Sequence, residues 1–210
     1  MGKLKVEKMV LGAVRTNTWF AVNDETKELI MIDPADCAGR IENKIQQAGW
    51  KPRAILLTHG HFDHIGAVEE LRRTYGIACY AGEKEQEVLE NTAWNLSVSF
   101  CGGGFTLRAD RFLADGQVLK LAGFEIQVIH TPGHTKGGVC YYLPQEHAVF
   151  SGDTLFKTSI GRSDFPTGST SELVRSVRAL LERLPDDTAV YTGHEGTTQI
   201  SYEKKFNPFI

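Results

Sequence analysis

Short apolar runs separated by polar turns and glycines set the pattern of this chain. They predict strands over Val6–Val14, Thr18–Asn23 and Glu28–Asp33, the last two joined by a turn at Asn23–Lys27. Asp33-Pro34 ends the third run. Ile41, Ile45 and Ala48 then fall on one face of a helix predicted over Ala38–Gly49, with Gly49 as its stop. Arg53–Leu57 reads as a short strand, Thr58–His64 as a polar loop, and Gly66–Tyr75 as a helix closed by Gly76. Ile77–Tyr80 is a further apolar run, and Glu83–Glu90 reads as an exposed helix.

The second half repeats the order. Val118–Leu121 and Phe124–His130 predict one strand pair, Gly138–Leu143 and Ala148–Ser151 another. Ser171 is placed to cap an amphipathic helix over Glu172–Leu184, with Leu173, Val177, Leu180, Leu181 and Leu184 on its apolar side and Pro185 as its stop. Ala189–Tyr191 is a last short strand. Strands precede helices in each half, which predicts an α/β (α+β layered) fold with two sheets rather than a helical bundle. Residues 1–210 read as one domain. The least patterned stretch, Asn91–Phe112, holds Trp94, Phe100, Phe105 and three consecutive glycines; such a loop inside a compact domain is usually functional or mobile.

Composition narrows the class. The chain has 210 residues, 41% hydrophobic and 23% charged, long enough to bury a core without disulfides or structural metals. A formal charge of −3 argues against a bulk electrostatic nucleic-acid binder. No uninterrupted apolar run is long enough to span a bilayer, and the first residues carry no apolar stretch of signal-peptide type. Cys37, Cys79, Cys101 and Cys140 are widely spaced and form no C-x-x-C, which fits a reduced, cytoplasmic protein. The oligomeric state is left open.

The chemistry concentrates where apolar runs end. Ala54–Leu57 leads into Thr58-His59-Gly60-His61-Phe62-Asp63-His64, four potential metal ligands within six residues. On a regular strand His59, His61 and Asp63 would share a face and His64 would point opposite; a loop bent at Gly60 permits two groups serving two adjacent ions. The arrangement recurs: Phe124–Ile129 leads to His134, Ala148–Phe150 to Asp153, and Ala189–Tyr191 to His194. Imidazole and carboxylate donors suit zinc, iron or manganese. Without a cation, burying two carboxylates and several imidazoles together would carry a large desolvation cost. His130, just before its turn, and His147, in a hairpin turn, are not taken as ligands.

His-x-His-x-Asp-His, followed by Thr131-Pro132-Gly133-His134-Thr135, Gly152-Asp153-Thr154 and Gly193-His194, resembles the metallo-β-lactamase-fold superfamily, and within it the small glyoxalase II-like hydrolases. Asn95-Leu96-Ser97 and Gly161–Pro166 resemble segments of the same group. The resemblance implies an αββα sandwich with two divalent ions at one edge of its sheets, zinc first and iron or manganese as alternatives. It implies a first ion on His59, His61 and His134, a second on Asp63, His64 and His194, and Asp153 between them.

Such a site would keep a residual charge of about +1, carry ions about 3.5–4 Å apart and supply a bridging hydroxide at neutral pH, with the Asp63 carboxylate orienting it. A thiolate leaves without a strong general acid, which favours a thioester or activated ester over an amide. The expected partner is therefore a small-molecule thioester such as S-lactoylglutathione, with no nucleic acid and no membrane. Arg162, Trp94, Phe100 and Phe105 are expected near the substrate. Glyoxalase II enzymes carry a helical C-terminal extension for glutathione, and only a short tail follows His194 here. The rivals are a persulfide dioxygenase, with one iron on His59, His134 and Asp153, and a lactonase or other esterase of the same fold.

Overall fold

In a computed structural model that describes residues 2–210, two six-stranded sheets pack face to face, each covered outside by helices. The first sheet contains β1 (Leu4–Leu11), β2 (Thr16–Asn23), β3 (Glu28–Ile32), β4 (Lys51–Leu56), β5 (Ala78–Gly82) and β6 (Arg111–Leu113) in that spatial order. β1 to β3 form an antiparallel meander, and β3 to β6 run parallel. The second sheet uses β7 (Val118–Leu121), β8 (Phe124–His130), β9 (Val139–Leu143) and β10 (Ala148–Gly152). A small hairpin of β11 (Leu155–Phe156) and β12 (Ser159–Ile160) follows. β13 (Ala189–Thr192) and β14 (Thr198–Gln199) then complete the second sheet, in the order β14-β13-β10-β9-β8-β7.

The helices are α1 (Ala38–Ala48), α2 (Phe62–Ile65), α3 (Val68–Tyr75), α4 (Gln86–Leu89), α5 (Ser97–Phe100), α6 (Thr170–Arg183) and α7 (Ile200–Phe206). No helix among the described residues is long and apolar enough to cross a membrane. All four cysteines are free.

Strand periodicity assigns the layers. Leu29 and Met31 of β3 face α1 and α3, whereas Ile30 and Ile32 face the other sheet. Phe20 and Val22 against Trp19 and Ala21 repeat the division on β2. In the second sheet Tyr141 and Phe150 point between the sheets, and Cys140, Tyr142 and Val149 point to α6. Central strands buried on both faces read as continuous apolar runs, which is why β2, β3, β9 and β10 stand out in the sequence. Each fully buried Leu, Ile or Phe contributes about 1.5–3 kcal/mol relative to exposure.

Several boundaries differ from the sequence expectation. β1 begins and ends earlier than Val6–Val14, because Gly12–Arg15 form the turn into β2. Asp63 and His64 lie on the helical turn α2 rather than on a loop. Glu83–Glu90 is a 3₁₀ turn followed by α4, and it is not an exposed helix: Glu85, Val88 and Leu89 are fully buried. The cap of α6 is Ser169, whose hydroxyl accepts the Glu172 amide at 3.4 Å, rather than Ser171. The tail after His194 folds into β14 and α7, with Ile200 in the core beside α6. Ser169→Ala should therefore cost about 1 kcal/mol in denaturant unfolding, and Ser171→Ala less than about 0.5 kcal/mol; the reverse order would contradict this cap.

Candidate metal centre

Strand direction gathers the ligands. β3 and β4 are parallel, so Asp33 and Thr58-His59 leave the first sheet at one edge. β8 and β10 flank β9 antiparallel to it, and β13 is parallel to β10, so the three run the same way. His134, Asp153 and His194 therefore follow strand ends on one edge of the second sheet. The edges are pinned together by the Tyr141 hydroxyl on the Leu57 carbonyl, 2.7 Å, and by the Val139 amide on the Thr58 carbonyl, 2.8 Å.

Two groups of ligand atoms result, each within 4.8 Å: His59, His61 and His134, and Asp63, His64 and His194. The chain is extended through His61 and then turns into α2, which carries Asp63 away from His59 and His61 and beside His64. Asp153 stands between the groups. Its Oδ2 lies 3.5 Å from His134 Nε2 and 3.4 Å from His194 Nε2, and its Oδ1 lies 3.5 Å from His64 Nε2. Asp63 Oδ2 lies 3.4 Å from His64 Nε2 and 3.3 Å from His194 Nε2. Gly193 admits this approach, since a Cβ there would stand 2.0 Å from Asp153 Oδ1. All seven residues expected as ligands come together, whereas His130 bonds the Lys136 carbonyl and His147 pairs with Asp187, both outside the groups.

The imidazoles are oriented from behind. Asp33 is buried at the end of β3, where its Oδ1 accepts the Thr58 amide at 2.8 Å and its Oδ2 the Thr58 hydroxyl at 2.6 Å. With its proton given to Asp33, the Thr58 oxygen accepts His59 Nδ1–H at 3.1 Å. Asp33 Oδ2 also takes His64 Nδ1–H at 3.0 Å, and the Arg162 carbonyl takes His134 Nδ1–H at 2.7 Å. Each bond leaves the Nε2 lone pair facing inward, the arrangement that metal-ligating histidines use. Asp33 also falls within reach of His59 and His64 as a third ligand group. Its bonds to Thr58 and His64 Nδ1 make it the orienting carboxylate instead. It is the main residue that the sequence pattern missed; its only signal was the acidic residue ending β3 before Pro34.

The donor set fits cations. His59 Nε2, His64 Nε2 and Asp153 Oδ1 are buried without a hydrogen-bond partner among the protein atoms, a cost that coordination would remove, and His61 turns its Nδ1 to within 2.9 Å of His134 Nε2. Burial drives His59 well below the ordinary imidazole range, and burial with His134 nearby takes His61 down to about 3, so both stay neutral as ligands must. Burial would also lower His64 and His194, but Asp63 and Asp153 outweigh it and raise them to about 9 and about 11. Burial pushes the two carboxyls up, and the same imidazoles overcome it, holding Asp63 well below the carboxylate range and Asp153 at about 2. Protons on His64 and His194 thus occupy the place that a second cation would take.

The groups open into a cavity of about 380 Å³ walled by Val14, Phe62, Leu96, Phe100, Phe156 and Phe165. Arg162 lines it too, lying 3.8 Å over Phe165 and paired with Asp164 at 2.7 Å. Phe100 stacks on Phe62 at 5.2 Å. Phe105 lines an adjoining cavity of about 320 Å³, and Trp94 lines neither, lying under the Lys136 ammonium at 4.8 Å.

The family model described as the metallo-beta-lactamase superfamily matches residues 11–194, which spans β2 to β13 and all seven gathered residues. The chain belongs to this superfamily. Within the superfamily it is 35% identical over 213 residues to the hydroxyacylglutathione hydrolase GloC of Haemophilus influenzae, with 99% of this chain and 98% of that protein covered. The solved structure titled BLEG-1 B3 metallo-beta-lactamase matches with a TM-score of 0.92 and 39% identity, covering 98% of this chain and 99% of that one. TTHA1623 in a di-iron-bound form matches with a TM-score of 0.86 and 34% identity, covering 97% and 100%. The superfamily assignment and the His/Asp groups make the chain a metallo-hydrolase with a site that fits two divalent ions.

Two outcomes follow from this geometry. Asp33→Asn places an N–H against the donors of Thr58 or His64 and should lower metal affinity about 10–100-fold, read by competition with a chelator. The pH dependence of the metal-free protein has a definite sign. His64 and His194, raised in the fold, stabilise it fully below pH 6.5, and that contribution fades as pH climbs through about 9 and about 11. His59, His61 and His134, lowered in the fold, contribute above 6.5 and lose it as pH falls. The Tm of chelator-stripped protein should peak near pH 6–7 and decline toward pH 10; a steady rise across pH 7–10 would contradict the pairing.

Proposed function

We propose that the protein is a binuclear metal-dependent thioester hydrolase of the glyoxalase II-like type, with S-lactoylglutathione or a related small thioester as substrate. The observation that carries this reading is Asp153 between two inward-facing ligand groups at the floor of an apolar cavity. The first ion would sit on His59, His61 and His134, the second on Asp63, His64 and His194, with Asp153 shared; zinc is the first choice, and the likeness to a di-iron protein keeps iron in view. Two such ions supply a water ionised near neutral pH and a Lewis acid for the carbonyl oxygen.

The chain's own groups do the rest. Thr16 donates to Asp63 Oδ2 at 2.7 Å and fixes the carboxylate that orients the attacking water. The aromatic wall excludes bulk water and seats the acyl or thiol carbon chain. Outside the ligand groups, the titratable side chains lining the cavity are Arg162, held by Asp164, and Glu195. The Arg162 guanidinium keeps its proton and cannot serve a leaving amine, whereas a thiolate needs no donor. The likeness to GloC supports a glutathione thioester, and Arg162 is the cation placed to meet its carboxylate. The likeness to BLEG-1 favours one second reading, opening of a β-lactam amide by the same site.

The test is a substrate panel on metal-loaded protein: S-lactoylglutathione, simple acyl thioesters, lactones, a β-lactam and glutathione persulfide. Thioesters should give the highest kcat/KM, and Asp153→Ala should abolish turnover while the circular dichroism spectrum persists. One iron per chain with oxygen consumption on the persulfide would replace the hydrolase by a dioxygenase, and a β-lactam preference would install the second reading.

A further inference from the structure

One buried acid near the site takes no part in the arrangement above. Glu85 closes the 3₁₀ turn after β5 and is 0% exposed, and no cation pairs with it among the described residues. Its Oε1 accepts the Gly60 amide at 2.8 Å, and its Oε2 accepts the Thr135 hydroxyl at 2.9 Å. The Gly137 amide dipole also favours the ionised form of this carboxylate. Gly60 sits between His59 and His61, and Thr135 follows His134. One carboxylate therefore joins the two separate segments that carry one ligand group.

The backbone is shaped around this contact. A Cβ on Gly137 would stand 2.1 Å from the Glu85 nitrogen and 2.2 Å from the Lys84 carbonyl carbon, so the turn and the loop touch only because residue 137 has no side chain. Burial pushes the Glu85 carboxyl up to about 7, against the pull of the Gly60, Thr135 and Gly137 donors. A carboxylate in such a place is costly, and an apolar contact would join two loops at lower cost. The Gly60 amide can only donate and the Thr135 hydroxyl donates here too, a demand that an all-acceptor carboxylate meets and a carboxamide meets in part.

The other ligand group is held differently. Asp63 is fixed by Thr16 and His64 by Asp33, and Asp33 also reaches His59 through Thr58. The hydrogen bonds of the Glu85 side chain go to the segments of His59, His61 and His134. We propose that Glu85 is a positioning residue specific to the first metal site, setting the spacing between the His59–His61 segment and His134 and thereby that site's affinity independently of the second. This rests on the two-ion reading of the centre.

The experiment titrates cobalt(II) into full-length protein and follows its visible absorption bands, with bound metal counted after dialysis against graded chelator. Wild type should hold two ions. Glu85→Gln, which keeps size but replaces one acceptor oxygen by a donor NH2, should hold one ion as wild type does and the other at least about tenfold more weakly, with altered bands for the weakened ion. Thr135→Val should reproduce this in milder form and Thr135→Ser should restore it, so the inference is decided even if Glu85→Gln fails to fold. Two ions held as tightly as in wild type by the folded variants, or both weakened equally, would overturn it while leaving the two-ion reading intact. Wild type binding fewer than two ions would overturn that reading and this inference with it.

Discussion

Lone pairs that face one another in a dry place are the constraint on which this molecule turns. Three apolar layers bring strand ends together at one edge, and there the chain places imidazoles and carboxylates instead of apolar side chains. Buried acceptors aimed at a common point repel, and water cannot reach all of them. Only protons or metal ions relieve the conflict. The core is thus more than a stabiliser: its packing fixes where β4, β8, β10 and β13 end, and the site has no freedom to spread apart.

Holding the donors in that state takes a second tier of groups facing away from the centre. Asp33, Thr58, Thr16 and the Arg162 carbonyl bind the outward sides of the ligands. Supports also reach the loops from elsewhere in the fold. Ser176 of α6 donates to the Pro132 carbonyl at 2.7 Å, and Trp19 of β2 donates to the Thr192 carbonyl at 2.9 Å, just before His194. Reactivity is therefore prepared before any substrate arrives, by bonds that cost little to maintain because the sheets already hold their partners.

What could be read from the chain alone follows the same physics. Strands buried on two faces write themselves as apolar runs, so the central strands of both sheets and the ends of β8, β10 and β13 are visible, whereas the short edge strands β6 and β14 are not. The ligands were visible because several metal-binding side chains fell beside turns within a few residues of those ends. Asp33 was not, since one acidic residue before a proline looks like any strand terminus until the fold sets Thr58 and His64 beside it. The charge of Glu83–Glu90 predicts an exposed helix, whereas in the fold Glu85 is buried and the Gly137 backbone packs against its turn. The helical turn α2 escaped too, being a single turn with no periodicity to detect. The C-terminal α7 is short, and Ile200 reveals its burial only against α6. The entrance was legible in part: Phe100 reaches the cavity from the unpatterned loop, while Phe62, hidden inside the ligand motif, stacks against it.

The division of labour between strand ends and loops explains why one chain can resemble both a glutathione-thioester hydrolase and a β-lactamase at similar identity. The ligands hang on the rigid sheets, whereas the cavity wall comes largely from the turn before β2, the loop around α5 and the segment 155–166. A shared centre holding metal ions would supply activated water to any carbonyl brought to it, so the choice among carbonyls would fall to side chains such as Val14, Phe100, Phe156 and Phe165. Those side chains are apolar here, and the one cation beside them is already balanced by Asp164. A wall of that kind would suit an acyl group or a thiol with hydrocarbon near the reacting carbon, with Arg162 over Phe165 as the cation lining it. Electrostatic attraction on the carbonyl, and on the charge that develops there during attack, would then come from ions held by the His/Asp groups.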